Sequence, residues 1–191
     1  MTKITVVNNL SLDGVMQAPG RPDEDLRGGF EHGGWAMPYA TMEAAEESMA
    51  YTGALLLGRR TYEDFYAVWP NRTDNPFTVV LDNTQKYVAS TTLEEPLPWS
   101  NSTLLKGDAA EAVARLKEEP GKDFVVLGSG ELVQSLMRRN LVDEYVLLIH
   151  PLVLGSGRRL FTDGGTFAAL RLVDTKTTTT GVVIATYAAT H

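Results

Sequence analysis

Two short stretches of this 191-residue chain combine groups suited to holding an anion. In the first, Leu55-Leu56-Leu57-Gly58-Arg59-Arg60-Thr61, an apolar run ends in a glycine and two arginines. In the second, Val125-Val126-Leu127-Gly128-Ser129-Gly130-Glu131-Leu132, an apolar run ends in Gly-Ser-Gly. Each reads as a strand that turns into a helix. A helix N-terminus offers unpaired N–H groups and partial positive charge, and a glycine there lets a phosphate approach the backbone. Arg59 and Arg60 sit where the helix dipole already disfavours cations, and an anion would reverse that sign. Two such ends at neighbouring strand tips could share one pyrophosphate. Two plainer readings stay open: a tight turn that needs glycine, and a pair of solvated arginines. The second stretch also lacks the third glycine of a dinucleotide fingerprint and comes late in the chain.

Asp82, Asn83, Thr84 and Lys86 follow the apolar run Thr78–Leu81, which reads as a buried strand. If that strand neighbours the Gly58 strand, these residues meet an adenosine ribose. Asp82 would suit a free 2′-hydroxyl, whereas Arg59, Arg60, Thr84 and Lys86 would suit a 2′-phosphate. The positive groups outnumber the acid, which favours NADPH over NADH.

Hydride transfer from a nicotinamide needs an oriented acceptor and a proton, but no nucleophile. The proton could come from a carboxylic acid or from a water that one holds. Asp13, in Ser11-Leu12-Asp13-Gly14, is one candidate; its alternative is a turn residue ahead of glycine. Glu46 is the other, placed by helical spacing between Met42 and Met49; its alternative is a solvated boundary position. Glu43 and Glu47 form an i,i+4 like-charge pair that points to solvent. Trp35 is expected either as a lid aromatic stacked on a flat substrate or as a core plug under its loop. His32 reads as a loop residue and His150 as structural, since nothing nearby in sequence completes a dyad. Arg158-Arg159 could bind an anion or serve a subunit contact or the surface.

The composition narrows the chemistry further. The chain has no cysteine, so thiolate catalysis, disulfides and cysteine-ligated metals are excluded. Its three histidines, His32, His150 and His191, form no i,i+4 pair, and no metal site is expected. A net charge of −7 argues against nucleic acid as a partner. The first residues read as a strand instead of a signal peptide, and no apolar run is long enough to span a bilayer. A cytoplasmic address and no membrane partner are expected.

The elements that must position these groups alternate. Strands are expected at Ile4–Val7, Ala54–Leu57, Thr78–Leu81, 88–90, 103–105, Phe124–Leu127 and Glu144–His150. Residues 17–40, rich in Gly and Pro, read as a long functional loop. Helices are expected from Thr41, with Met42, Ala45 and Met49 on one face; from about Arg60 to Phe65; after Asp108, ended by Pro120-Gly121; and after Gly130, with Leu132, Val133, Leu136 and Met137 inward. Leu170–Asp174 and Val182–Ala188 read as a terminal hairpin across the threonines 177–180. The apolar stretch from Leu141 to Gly157 could serve as core or as interface. The pattern predicts an α/β fold with a central, mainly parallel sheet, an antiparallel C-terminal hairpin and helices on both faces. No linker or repeat interrupts it, so residues 1–191 are expected to form a single domain.

Six segments, in order, match a known family: Ser11–Met16, Gly28–Trp35, Leu55–Phe65, Phe77–Ser90, Val125–Tyr145 and Ile149–Phe161. Together they resemble the dihydrofolate reductase-like superfamily. The closer likeness is to the reductase domain of riboflavin-pathway deaminase-reductases and its stand-alone bacterial relatives. The resemblance implies NADPH across the strand tips, with Gly58, Arg59, Arg60 and Thr61 on its phosphates. It implies that Gly128, Ser129, Gly130, Glu131 and Leu132 cradle the pyrophosphate and that Leu81 and the residues after it hold the adenosine. It implies an NADPH-dependent reductase of a small heterocyclic or carbonyl substrate, and a homodimer. Dihydrofolate reduction proper, and an NADPH-binding module without turnover, are the alternatives.

Overall fold

The computed structural model describes residues 2–51, 53–121 and 123–190; His191 lies outside the described residues. Six strands run parallel: β1 (Ile4–Leu10), β2 (Ala54–Gly58), β3 (Lys86–Ala89), β4 (Ser102–Leu105), β5 (Phe124–Leu127) and β6 (Glu144–Ile149). Their order is β4-β3-β2-β5-β1-β6. An antiparallel pair, β8 (Val183–Ala189) then β7 (Leu170–Thr177), extends the sheet beyond β6. The expected mainly parallel sheet and terminal hairpin are both present, and residues 178–181 make the turn of the hairpin.

The central strands are apolar on both faces, as parallel strands covered by helices must be. Ile4, Val6, Leu56, Phe124 and Val126 pack on one side against α4 (Ala109–Glu118) and α5 (Gly130–Met137). Val7, Leu55, Leu57, Val125 and Leu148 pack on the other. There they meet Tyr62 of α2 (Arg59–Val68), Leu81 of α3 (Phe77–Asn83) and Ala44 of α1 (Met42–Ala50). Each such aliphatic side chain contributes roughly 1.5–3 kcal/mol on burial. The apolar stretch around β6 is therefore core: Tyr145, Val146, Leu147 and Leu148 are all buried.

Chain order creates the functional edge. From β1 the chain moves outward to β2, β3 and β4, leaving a gap beside β1, with α1, α2 and α3 on one face. It returns through α4 to fill the gap with β5 and crosses to β6 through α5 on the opposite face. Neighbouring strands β2 and β5 thus send their following helices to opposite faces. That divergence opens a crevice at their carboxyl ends, the usual ligand position in open α/β sheets.

Two expectations are corrected. Thr78–Leu81 is not a strand; it lies inside α3, with Thr78 and Leu81 buried and Val79 and Val80 more than half exposed. Spacing of i and i+3 is helical, and a four-residue apolar run cannot show which period it obeys. The strand beside β2 is β3, starting at Lys86. The face of α1 carrying Met42, Ala45 and Met49 is exposed instead of buried. α1 buries no residue fully and is held at its ends: Thr41 Oγ1 accepts the Ala44 N–H at 3.1 Å, and Glu47 pairs with Lys176 of β7 at 2.7 Å.

Lys86 explains how α3 gives way to β3. Its side chain is fully buried, and Nζ donates to the carbonyls of Leu81 and Thr84, both at 2.7 Å. It lies 4.5 Å from the centre of the Trp99 ring. Burial pulls its ammonium down to about 8. The lysine closes the carboxyl end of a helix, where cations are favoured. Replacing it by methionine would leave two carbonyls without their donor, and Lys86→Met is expected to cost about 2 kcal/mol in urea unfolding. NADPH affinity should not change, because the residue faces away from the crevice; a large loss of affinity at unchanged stability would return Lys86 to a ribose contact.

Candidate active site

The carboxyl ends of the parallel strands open into a cleft of about 2050 Å³. Gly58, Arg59, Arg60 and Thr61 line it from β2 and α2, and Gly128, Ser129, Gly130, Glu131 and Leu132 line it from β5 and α5. The two stretches singled out in the sequence therefore face one space. They are also bonded to each other. The Gly58 N–H donates to Ser129 Oγ at 3.0 Å, and the Ser129 N–H donates to Thr61 Oγ1 at 3.2 Å. Ser129 Oγ in turn donates to the Leu127 carbonyl at 2.9 Å.

Backbone shape makes this possible. Gly128 and Ser129 are both left-handed, with φ of 55° and 54°. A Cβ on Gly128 would stand 3.2 Å from Thr61 Oγ1, so glycine answers both the conformation and the approach. Neither α2 nor α5 has a side-chain cap at its N-terminus. Two uncapped helix ends thus converge on one cleft, each with N–H groups to offer an anion. Arg59 is turned onto Glu63, one helical turn on, at 3.2 Å. Arg60 is exposed and pairs with no carboxylate among the described residues. Arg158 also lines the cleft, 3.4 Å from Glu131.

The long loop 17–40 forms one wall and is firmly tied. Gln17 is buried; its amide Nε2 donates to the carbonyls of Asp25 and Arg27, and its Oε1 accepts the Arg158 N–H. The Arg21 guanidinium grips the Asp64 carboxylate of α2, fastening the loop across the cleft edge. Trp35 plugs the base of this loop: it is 6% exposed, donates Nε1–H to the Gln17 carbonyl at 2.7 Å and does not line the cleft. Of its two expected roles, the core plug is the one observed.

Several expected site residues lie elsewhere. Asp13 does not line the cleft. Its carboxylate accepts from the Ser11 hydroxyl at 2.6 Å and from the N–H groups of Leu154 and Gly155, and Arg159 stands at 3.6 Å. These donors, Ser11 foremost, hold it down at about 2, the opposite of a proton donor. Asp13 ties the β1 turn to the loop after β6. Glu46 is exposed on α1, which presents Thr41, Ala44, Ala45 and Ser48 to the cleft instead. Leu81, Asp82, Asn83, Thr84 and Lys86 are absent from the lining because they belong to the end of α3 and the start of β3. Asp82 accepts the Trp99 Nε1–H at 2.6 Å, a structural contact. The far end of β3 faces the cleft through Ala89, Ser90, Thr91 and Thr92.

Two lining residues, Asn8 and Asn9, carry no expectation from the sequence, and a third, His150, is expected there only as structural. Asn8 and Asn9 precede Leu10, the last residue of β1, and point to opposite faces. Asn8 is buried and donates to the Gly128 carbonyl at 3.2 Å, supporting the α5 turn from below. Asn9 meets His150 across the strands, 2.9 Å from Nε2. His150 is 3% exposed, with the rings of Trp35 and Tyr39 edge-on at 5.2 and 5.8 Å. Burial takes it down to about 4, so it is neutral at physiological pH. Two polar residues inside an otherwise apolar strand were the available signal.

A model of the RibD C-terminal domain family matches residues 2–184. The chain belongs to that family. The uncharacterized protein YyaP of Bacillus subtilis (strain 168) is 33% identical over 138 residues, which cover 70% of this chain and 72% of YyaP. A pyrimidine reductase-like protein from Corynebacterium diphtheriae has a TM-score of 0.69 at 12% identity, over 100% of this chain and 92% of its own. A diaminohydroxyphosphoribosylaminopyrimidine deaminase/5-amino-6-(5-phosphoribosylamino)uracil reductase from Thermotoga maritima has a TM-score of 0.62 at 15% identity, over 99% of this chain and 57% of its own. The resemblance read from the motifs and the fold expected from it both hold. Membership of the RibD C-terminal domain family supports a reductase-type function. Among the described residues there is no helix long and apolar enough to cross a membrane and no cluster of His, Cys, Asp and Glu suited to a metal.

His150 gives the site a pH signature. The unfolded chain protonates this histidine near 6.5, while the folded chain resists until about 4. Between those values the unfolded state binds more protons, so stability is lost as pH falls through that window. Denaturant unfolding across pH 4 to 7 should show this slope, and a His150→Gln variant should flatten it. An unchanged slope in the variant would place the titration elsewhere.

Proposed function

We propose that the chain is an NADPH-dependent reductase acting on a small heterocyclic or carbonyl substrate. The observation that carries this reading is the pair of uncapped helix ends locked together by Ser129 between β2 and β5. A dinucleotide pyrophosphate is a doubly charged linker of the right kind for two converging helix dipoles. The fit extends beyond the backbone. A Cβ on Gly130 would stand 2.6 Å from Met16 Sδ, so glycine keeps the α5 end open without displacing the Met16 side chain. Arg59 and Arg60 flank the α2 end on the side of Ser90 and Thr91, and are the groups that would meet a 2′-phosphate.

Bound there, NADPH supplies the hydride. The chain orients it, with Asn8 and Ser129 holding the turn and Arg60 the charge. The accompanying proton is drawn from water in the open cleft; Asp13 and Glu46, the acids expected from the sequence, both stand outside it. Dihydrofolate reduction has less support: it calls for an acid on α1 turned into the cleft, and Glu43, Glu46 and Glu47 all lie outside the lining. A homodimer belongs to the same proposal. The outer strand β7 exposes Leu172 and Val173 about half each, and Phe167 nearby is 91% exposed.

Titration calorimetry tests the cofactor. NADPH is expected to bind, and Arg59→Ala with Arg60→Ala should weaken it by about tenfold or more while changing NADH little. Equal loss of both would move the arginines to the pyrophosphate. No binding of either nucleotide to the intact protein would remove the reductase assignment. Light scattering that returns the mass of one chain would remove the dimer.

A further inference from the structure

Asn9 and His150 form a polar couple on the sheet face opposite α5, where the cleft floor is otherwise apolar. Val7, Asn9, Leu148 and His150 all line the cleft, and Val7 and Leu148 are 5% and 2% exposed. Alternation along β1 and β6 puts these four side chains on one face, and the register pairs Asn9 with Leu148. A flat floor of this kind suits a planar ring.

The hydrogen bonding of the couple is one-sided. His150 Nε2 and Asn9 Oδ1 are 2.9 Å apart. His150 Nδ1 is buried and has no partner among the described residues. A buried N–H without an acceptor is costlier to leave than a bare lone pair, so the proton sits on Nε2 and is donated to Asn9 Oδ1. Trp35 and Tyr39 fix the imidazole from its edges. The Asn9 amide is therefore held with its oxygen occupied. Its Nδ2 makes no hydrogen bond among the described residues, and Asn9 is only half-buried in the cleft wall. What remains on offer is a fixed N–H donor above an apolar floor.

We propose that Asn9 recognises a ring carbonyl of the hydride acceptor, and that His150 is the positioning residue that keeps the Asn9 amide in the donating orientation. This rests on the reductase reading for the role of the ligand, though not for its binding.

Uracil is the probe for a ring carbonyl, and 2,4-diaminopyrimidine is the matched ring without one. The titration follows the Asn9 side-chain NH₂ signal in the ¹⁵N-labelled intact protein, with and without NADP⁺. Uracil should shift that signal and 2,4-diaminopyrimidine should not. Asn9→Leu should weaken uracil about tenfold, the scale of one well-made hydrogen bond to a site otherwise unchanged. His150→Leu should weaken it similarly, and His150→Gln, which restores an N–H donor, should recover it. The ¹⁵N imidazole spectrum should report His150 protonated at Nε2 and bare at Nδ1, a signature that mere packing would not set. An Asn9 signal unmoved by uracil up to its solubility limit overturns the proposal, as does equal response to both rings. The wild-type titration decides the matter even if a variant fails to fold. Loss of NADPH binding with a persisting uracil shift would overturn the reductase reading alone; NADPH binding without the shift would overturn this one alone.

Discussion

The site depends on one serine in an unfavourable backbone conformation. Ser129 adopts left-handed angles, which cost a residue with a side chain on the order of 1 kcal/mol. Three hydrogen bonds hold it there: from Gly58, to Thr61 and to Leu127. Each net contribution is about 1 kcal/mol, enough to sustain the strain. The result is that the amino ends of two helices from opposite faces of the sheet are fixed relative to each other. Without that tie, each helix end would be an ordinary turn after a strand. With it, their partial charges add at one point, and added charge is what distinguishes an anion site from a pair of loops.

The same logic of alternation divides the cleft into two halves. Asn8 and Asn9 are consecutive, so the pleat sends one to the α5 side and the other to the α1 side. Asn8 supports the turn that carries Ser129, and Asn9 stands on the opposite half beside His150. A slip of one residue in β1 would exchange them and dismantle both halves at once. The strand is secured against this by β5 and β6 on its two sides, and by Asp13, whose carboxylate binds the turn after β1 to Leu154 and Gly155. Asp13 thus acts on the site at a distance, through register, with no proton to give.

The legible parts of the sequence were those governed by local rules. The strand–glycine–helix junctions at Gly58 and Gly128 are spelled by composition alone, and the caps at Thr41 and Asp108 by residue type. β5 was read to the residue, because a buried parallel strand is a continuous apolar run. What escaped was decided by packing between distant segments. Thr78–Leu81 is as apolar as a strand, but it lies inside a helix whose end Lys86 closes by folding back onto the Leu81 and Thr84 carbonyls. Asp13 looks like an exposed acid until the loop after β6, about 140 residues later, supplies the donors that fill it. Asn9 and His150 are likewise 141 residues apart, and no spacing rule joins them.

Net charge and local field disagree in this molecule, and the disagreement shows which of them governs binding. The chain carries −7 overall, which repels an anion approaching from afar. At physiological ionic strength that repulsion is screened beyond about 8 Å. Inside the cleft the nearest groups are the two helix ends, Arg60 and Arg158, while the carboxylates of Glu63 and Glu131 are each turned onto an arginine. Those ion pairs hold Arg59 and Arg158 in place, while Arg60 pairs with no carboxylate among the described residues. An arriving phosphate competes for guanidinium groups that are already positioned, so it meets a site that needs exchange of partners more than reorganisation.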